Sequence, residues 1–386
     1  MKRGVFMETA VKTKEKKKAD AGKVIGIILA VIIAIAIVAV IFISVVTRQQ
    51  KDTDENLVAV GGMVYSDTVE YKSEASDKLD KNPVMKLMEM IWYFCAQGDA
   101  KKHESQTPPE VEMIKDVPYI DDGNIYHKLD VFYPKGTAAT EKLPVIIDIH
   151  GGGWMYATKD LNEYYCRAIA NRGFVVFSIS YRLAPDVIVP EQLQDCMMAL
   201  KWINDNMADY PCNTDSIMLT GDSAGGQLSF YSAVLMQSEE LREKFNVDDA
   251  GLDIDALLLT SPVAYMKNGG PLSIYTKILW GEDYKDRETY NFMDADEIVD
   301  FAEIPPTYLI TSSGDSLANK QTHKLAELLE SKGVQTVIRD YDAVDGKKLP
   351  HVFSVLFPFD EISVQTIDDA TNFYREIIAE KETVNK

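Results

Sequence analysis

Between residues 111 and 379 the chain alternates short apolar stretches with segments of helical spacing, and this alternation restricts the fold more than any other feature. Stretches such as residues 144–150 (PVIIDIH) and 174–180 (FVVFSIS) are apolar at most positions. Strands with apolar residues on both faces are typical of parallel sheets that helices cover on both sides. We therefore predict an α/β fold with a mostly parallel sheet and helices on both faces.

The individual strands and helices follow from this pattern and from the turn residues between them. Residues 121–124 (DDGN) form a strong turn sequence, which predicts that the first two strands make an antiparallel hairpin. Residues 262–303 break the alternation and are predicted to be an insert, and residues 84–97 have the spacing of an amphipathic helix. The predicted strands are residues 114–120, 126–133, 144–150, 174–180, 216–220, 256–260, 307–311 and 335–341. The predicted later helices are residues 161–172, 190–207, 224–236, 317–332 and 362–379.

The N-terminal region has the composition of a membrane anchor. Residues 1–23 contain eight lysines and arginines against three acidic residues, and residues 24–46 contain no charged residue. A helix of this length spans roughly 35 Å, enough for the hydrocarbon core of a bilayer. The basic block predicts a cytoplasmic segment 1–23, a transmembrane signal anchor 24–46, a polar stalk 47–83 and an extracytoplasmic domain 84–386. If residues 24–46 were instead a cleaved signal peptide, the protein would be secreted.

The overall charge and the cysteines exclude several classes of partner. The chain carries a net charge of −20 although its first residues are basic, so the domain offers nothing that would neutralise nucleic-acid phosphates. No pair of cysteines has the C-x-x-C spacing of a zinc or redox site, and we expect mostly free thiols. We predict no metal and no cofactor. The cysteines are Cys95, Cys166, Cys196 and Cys212.

The strongest indication of chemistry is residues 221–225 (GDSAG), which lie between a predicted strand and a predicted helix. Small residues on both sides of Ser223 allow a sharp turn that exposes its hydroxyl at the end of the sheet. The N-terminus of the following helix favours negative charge that develops there. A serine that only caps a helix is the alternative, but the strand before it favours a nucleophile. We therefore predict that Ser223 is a catalytic nucleophile.

A second glycine-rich segment, residues 150–154 (HGGGW), directly follows another buried strand. Consecutive glycines let the backbone approach a ligand closely, and their N–H groups can stabilise an oxyanion. The residue after a nucleophile at such a turn commonly supplies a further donor. We predict that the N–H groups of Gly151, Gly152 and Ala224 form an oxyanion hole.

A nucleophilic serine needs a base and an acid that orients the base. After a serine turn of this kind, the acid comes next in the chain and the histidine base follows it. His323 lies inside a predicted helix, whereas His351 lies in a loop after the last strand, and we choose His351 as the base. Asp315 follows the strand at residues 307–311 and is the predicted acid, although it also has the position of a helix cap. Asp342 and Asp345 lie nearer to His351 in the chain, but they follow the strand at residues 335–341 and are not chosen as the acid.

Together these motifs resemble the hormone-sensitive-lipase-like branch of the α/β-hydrolases. Residues 181–185 (YRLAP) match a motif of that branch, residues 314–317 (GDSL) resemble its acid motif with serine in place of the usual proline, and residues 351–353 (HVF) resemble its histidine motif. The likeness covers roughly residues 111–379. It implies a carboxylesterase without metal or cofactor, acting on a small-molecule ester. It also implies a cap formed by residues 84–107 and 262–303.

Three other functions remain open. The strands before residues 150–154 also resemble those of carbohydrate-ester deacetylases. A peptidase of the prolyl-oligopeptidase type is less favoured, because no large N-terminal domain such as a propeller is recognisable. A non-catalytic binding module is disfavoured by the presence of all three predicted catalytic residues. Short acyl chains are expected, because hydrolases of small esters are widespread.

The anchor prediction leads to a simple test. The intact protein should retain residues 24–46 and fractionate with membranes, because Val45-Val46-Thr47 is a poor cleavage site. Mass spectrometry of the purified protein gives its N-terminus. A mature chain beginning near residue 48 would show that the segment is cleaved.

Overall fold

The sheet that the sequence predicts is present, with eight strands. The computed structural model of the protein describes Lys102 and residues 105–267, 276–281 and 283–384. The strands are β1 (Val111–Pro118), β2 (Lys128–Pro134), β3 (Leu143–Ile149), β4 (Val175–Ile179), β5 (Cys212–Asp222), β6 (Ala256–Thr260), β7 (Thr307–Ser312) and β8 (Thr336–Tyr341).

The strand order is β1-β2-β4-β3-β5-β6-β7-β8. The pairs β1–β2 and β2–β4 are antiparallel, and every other neighbouring pair is parallel. The predicted opening hairpin and the mostly parallel sheet are therefore confirmed. Because β3 and β5 are neighbours, the two glycine-rich segments that follow them emerge side by side at one edge of the sheet.

Helices cover both faces of this sheet. The helices are α1 (Glu163–Ala170), α2 (Val189–Asn206), α3 (Ala224–Gln237), α4 (Glu239–Phe245), α5 (Thr276–Trp280), α6 (Ala295–Ile298), α7 (Asn319–Ser331), α8 (Phe353–Leu356) and α9 (Glu361–Val384). Shorter 3-10 helices are Lys159–Asn162, Met207–Asp209, Tyr284–Asp286, Glu288–Phe292 and Val299–Phe301.

Alternate residues of each central strand face opposite layers of helices. Ile146 and Met218 join the apolar cluster that α1, α8 and α9 form on one face. Their neighbours Ile147 and Leu219 point the other way and are equally buried. Helix α3 packs along β3, β5 and β6. This two-sided burial explains why the strands are apolar at consecutive positions.

Helix α4 is one of the short helices that the sequence does not predict. Helix α4 has a strongly charged sequence (EELREKF), and it is fixed by the burial of Leu241 and Phe245, which lie one turn apart. Ser238 caps it, because the hydroxyl accepts a hydrogen bond from the N–H of Leu241. The predicted helix 161–172 instead begins with a 3-10 turn at Lys159–Asn162, which the side chain of Thr158 caps.

The predicted insert at residues 262–303 lies between β6 and β7. In its described part it consists of α5, α6 and three 3-10 turns, with Trp280 and Met293 buried. The predicted segments 1–23, 24–46 and 47–83 and the helix 84–97 lie outside the described residues. Within the described ranges, no helix is both long and apolar enough to cross a bilayer. Cys166, Cys196 and Cys212 are buried free thiols, as predicted.

Gly225 fixes how closely α3 approaches the sheet. A Cβ at this position would lie 1.9 Å from the carbonyl oxygen of Ile149 and 2.4 Å from that of His150. The first turn of α3 is therefore in direct backbone contact with the end of β3. This contact places the turn before α3 next to the segment that follows β3.

We predict that Gly225→Ala destabilises the protein by roughly 3 kcal/mol or more, because neither backbone group can move without displacing the helix or the strand. Gly333→Ala is the matched control: its φ is +77°, but a Cβ there meets no atom within 4 Å. The control should cost only about 1–2 kcal/mol. Urea unfolding of both variants measures the difference, and equal losses would contradict the close contact.

Candidate active site

Ser223 lies at the junction of β5 and α3 in a strained backbone conformation. Its φ is +52° and its ψ is −114°, a region that residues with a side chain rarely adopt. The surrounding backbone holds it there: the N–H of Ser223 donates to the carbonyl of Thr260 at 2.9 Å, and its own carbonyl accepts from Val263 at 3.1 Å. A Cβ on Gly221 would lie 2.4 Å from the carbonyl oxygen of Gly225. The turn therefore requires the small residues that surround the serine.

Asp315 and His351 are brought together although they are far apart in the chain. The Nδ1 atom of His351 lies 2.8 Å from Oδ2 of Asp315. The other oxygen, Oδ1, accepts hydrogen bonds from the N–H groups of Leu317 at 3.0 Å and Ala318 at 2.9 Å. Asp315 thus has two roles, since one oxygen binds the turn just before α7 and the other orients a histidine.

The ionisation of Asp315 is consistent with an orienting acid. Burial of its carboxyl raises its pKa, but the hydrogen bond and charge of His351 and the N–H of Ala318 outweigh burial and hold the pKa below its usual value. The carboxyl is therefore ionised at neutral pH. It can hold Nδ1–H of the imidazole and stabilise a positive charge on the ring.

The second ring nitrogen of His351 is unpaired among the described residues. Its Nε2 atom is buried, and within the part of the chain that the structure describes it has no hydrogen-bond partner. The ring lies close enough to the end of β5 for its charge to act on the carboxyl of Asp222, the residue before Ser223. The structure thus brings all three predicted residues to one edge of the sheet. Ser223 and His351 are not hydrogen-bonded to each other in this structure.

The loop of residues 150–154 follows β3 beside this serine. Gly152 has a φ of +111°, and a Cβ there would lie 2.1 Å from the carbonyl oxygen of Tyr156. This close turn, closed by the N–H of Met155 donating to the carbonyl of Gly152 at 3.0 Å, requires glycine. Gly152 and Ala224 remain the predicted oxyanion donors.

The prediction that Gly151 donates to an oxyanion is wrong. Its N–H already donates to Oδ1 of Asp222 at 2.9 Å. A Cβ on Gly151 would lie 2.3 Å from the other oxygen of this carboxyl. Gly151 is therefore a glycine because Asp222 approaches it, and its N–H anchors the loop rather than a reacting group.

Other contacts to the same loop come from residues that the sequence interpretation did not assign. The ring of Tyr181 stacks on His150 with centroids 4.4 Å apart, and its hydroxyl donates to the carbonyl of His150 at 2.9 Å. The side chain of Gln192 donates to the carbonyl of Trp154, and the indole N–H of Trp154 donates to Gln227, at 2.8 and 2.9 Å. Burial lowers the pKa of His150 to about 4, so this histidine is neutral at neutral pH.

A partly buried ion pair holds the backbone on which Tyr181 lies. Arg182 contacts both oxygens of Asp195 through Nε and Nη, at distances of 2.6–3.1 Å. His127 lies 3.5 Å from the same carboxyl and 2.7 Å from Asp122. Asp195 thus has a structural role, since it holds Arg182 in the segment that follows β4.

The rejected histidine is in a different environment. Nε2 of His323 lies 2.8 Å from Asp340 in an exposed pair on the surface of α7. In the described ranges, no group of three or more His, Cys, Asp or Glu side chains is arranged to hold a metal ion.

Comparison with known proteins places the chain in a family. The family model BD-FAE matches residues 129–332, just over half of the chain. This chain belongs to the BD-FAE family of α/β-hydrolases. Within that superfamily it falls in the hormone-sensitive-lipase-like branch, as its motifs predict.

Several members of the superfamily are similar over long segments. Carboxylesterase NlhH of Mycobacterium tuberculosis is 32% identical over 167 residues, which are 40% of this chain and 52% of that protein. Versiconal hemiacetal acetate esterase of Dothistroma septosporum is 27% identical over 236 residues, 55% of this chain and 66% of that protein. The chain thus spans about half to two thirds of the length of these curated relatives.

Among solved structures, esterase B of Lactobacillus rhamnosis, inhibited by a C4-C4 tributyrin phosphonate, superimposes with a TM-score of 0.75 at 27% identity. The superposition covers 79% of this chain and 99% of that one. The BD-FAE chain therefore shares nearly the whole fold of that esterase.

The pairs His351–Asp315 and His323–Asp340 allow a matched test of the base. His351→Gln should lower kcat for ester hydrolysis by about 10³-fold or more, because the variant leaves Ser223 without a proton acceptor. His323→Gln, which removes a histidine at the same distance from an aspartate, should leave kcat unchanged. Steady-state kinetics with p-nitrophenyl acetate measures both. A loss in the His323 variant alone would contradict the assignment.

Proposed function

We propose that the protein is a carboxylesterase that hydrolyses small carboxylic esters through Ser223, His351 and Asp315. The observation that carries the proposal is the hydrogen-bonded pair of His351 and Asp315, whose free Nε2 lies at the edge where the strained Ser223 turn emerges. Because Asp315 binds Nδ1 of His351, the Nε2 atom is left available to accept a proton from the serine.

The first half of the reaction acylates the serine. Nε2 of His351 takes the hydroxyl proton as Oγ of Ser223 attacks the ester carbonyl carbon. The same nitrogen then donates that proton to the leaving alcohol. Apo structures often keep these groups beyond hydrogen-bond distance, and a small rotation of the serine or histidine side chain closes the contact when substrate binds.

The oxyanion of the tetrahedral intermediate is stabilised by backbone N–H groups. Ala224 supplies one at the N-terminus of α3, and Gly152 and Gly153 supply two from the loop after β3. Gly153 replaces Gly151 in this set, since the N–H of Gly151 is bound to Asp222. Gly153 follows Gly152 in the same tight turn, with a φ of +57°.

Deacylation repeats the sequence with water in place of the serine. His351 removes a proton from water as the oxygen attacks the acyl carbonyl, and then returns it to Ser223 as the acid leaves. Asp315 stays ionised and stabilises the imidazolium in both halves. Its low pKa, caused by His351 despite burial, supports this division of roles.

Short acyl chains are the preferred substrates in this proposal. A structurally similar enzyme, esterase B of Lactobacillus rhamnosis, was inhibited by a tributyrin phosphonate, and a fungal relative is named for an acetate ester. Residues 84–107 and 262–303 would form the cap that limits acyl length. The insert begins next to the nucleophile, since Val263 donates to the carbonyl of Ser223 at 3.1 Å.

The location of the enzyme is part of the same proposal. Residues 24–46 would anchor it in a membrane as a single pass, with the N-terminus in the cytoplasm and the catalytic domain outside. The uninterrupted apolar run and the basic block before it support this arrangement.

The test combines a substrate series with a nucleophile variant. The full-length protein should hydrolyse p-nitrophenyl acetate and butyrate faster than the octanoate, and it should react with a fluorophosphonate probe. Ser223→Ala should lose both activities while remaining folded, because it removes the attacking oxygen. Ser331→Ala, on the exposed surface of α7, is the matched control and should keep both. Hydrolysis by Ser223→Ala near the wild-type rate would contradict the proposal.

A further inference from the structure

Directly behind the loop after β3 lie two buried carboxyl groups that the proposed mechanism does not use. Asp148 is in β3, two residues before His150, and Asp222 ends β5. Both side chains are almost completely buried. The amide nitrogen of Asn162 lies between them, 2.9 Å from Oδ1 of Asp222 and 3.2 Å from each oxygen of Asp148. The nearest oxygens of the two carboxyls are therefore no more than about 6 Å apart.

The remaining partners of these carboxyls are neutral. Asp148 accepts from the hydroxyl of Ser178 at 2.9 Å and contacts the thiol of Cys166 at 3.5 Å. Asp222 accepts from the N–H of Gly151. Across the described residues, no lysine or arginine forms an ion pair with either group, in contrast to Asp195, which Arg182 neutralises.

Two carboxylates cannot both be ionised so close together in a buried site without a cation. Each charge loses its hydration on burial, and the repulsion between them is weakly screened at low dielectric. Such pairs take up one proton, which lowers their combined charge to −1.

We propose that Asp148 and Asp222 share one proton, and that this singly charged pair positions the oxyanion loop through the hydrogen bond from Gly151 to Asp222. The second part of the proposal rests on the proposed esterase function, and the first part does not. Asp148 and Asn162 are positioning residues in this arrangement, since they act on the loop only through Asp222.

The hydrogen bonds indicate where the proton resides. Oδ1 of Asp222 accepts two N–H donors, which favours the ionised form of that carboxyl. Asp148 is further from the shared amide, and burial together with the charge of Asp222 raises its pKa to about 7. Asp148 therefore carries the proton at and below neutral pH.

The other titratable groups around the pair do not compete for this proton. Tyr165 and Cys166 face Asp148 from α1, and Tyr181 faces both carboxyls from the segment after β4. Burial raises the pKa of all three, so they stay neutral in the range in question. His351 is the other titratable neighbour, and it lies on the side of Asp222.

A shared proton is also useful to catalysis. A doubly charged pair beside the oxyanion hole would oppose the negative charge that develops in the transition state. A single charge on Asp222 is sufficient to bind Gly151, and it leaves the next N–H groups of the loop directed toward the substrate.

The first experiment measures stability against pH and needs no enzyme activity. Asp148→Asn keeps the size and an acceptor oxygen but removes the titrating group. The folded wild type retains a proton that the unfolded chain releases near the ordinary pKa of 3.8. The wild-type unfolding constant should therefore rise, relative to this variant, by about tenfold per pH unit from about pH 4 to about pH 7, and then level off.

The control is Asp195→Asn, the same substitution at an equally buried carboxyl that is paired with Arg182. Its pKa is held low by His127 and Arg182 despite burial, so its charge stabilises the fold at neutral pH. This variant should be less stable than wild type at pH 7, whereas Asp148→Asn should gain stability relative to wild type as the pH rises towards 7. Urea unfolding of the full-length proteins in detergent, between pH 5 and pH 8, gives all three curves.

The second experiment tests the positioning role. Asp222→Ala releases the N–H of Gly151 and should lower kcat for p-nitrophenyl acetate by roughly tenfold to a hundredfold with little change in KM. Asp222→Asn retains an acceptor oxygen and should recover most of the loss. A structural defect alone would not be rescued in this way.

Each of the two experiments can overturn one part of the proposal. Parallel pH profiles of wild type and Asp148→Asn would refute the shared proton. Equal kcat values for wild type, Asp222→Ala and Asp222→Asn would refute the positioning role. If the wild type hydrolyses no ester while the stability profiles behave as expected, the shared proton stands, and the proposed function fails instead.

Discussion

The strained backbone at Ser223 is the constraint on which the rest of the site depends. A positive φ at a residue with a side chain is unfavourable by about 1–3 kcal/mol, and it persists only where neighbouring contacts fix it. Here β6 binds the N–H of Ser223, the start of the insert binds its carbonyl, and Gly225 brings α3 against the end of β3. The serine hydroxyl, the helix N-terminus and the glycine loop are therefore placed relative to one another by backbone packing.

Polar contacts, in addition to this backbone packing, fix the position of the loop after β3. The loop after β3 is held from several sides: by Asp222 through Gly151, by Tyr181 through His150, and by side chains that bind Trp154. These contacts come from different strands and helices, so the loop is shaped by the whole edge of the sheet. A preorganised oxyanion site needs this kind of support, because its donors must already be in place when negative charge develops.

Much of the fold could be predicted from the sequence, because its apolar periods are strong. Every strand of the sheet was predicted within a few residues, and β6 was predicted at residues 256–260, the bounds it has in the structure. The short helix α4 was missed, since its charged sequence has only two apolar residues and its burial depends on distant neighbours. The strands alone also do not specify which N–H groups of a glycine-rich loop are free. Gly151 was therefore misassigned, because the partner of its N–H is a side chain 71 residues away.

The two oxygens of Asp315 are bound by different parts of the chain. One oxygen accepts from the N–H groups of Leu317 and Ala318, in the turn just before α7, which are only two and three residues away in the chain. Local contacts therefore orient this carboxyl. His351 is 36 residues further along, beyond β8, and binds the other oxygen. The loop that carries the histidine can thus vary in length or sequence without disturbing the orientation of the acid.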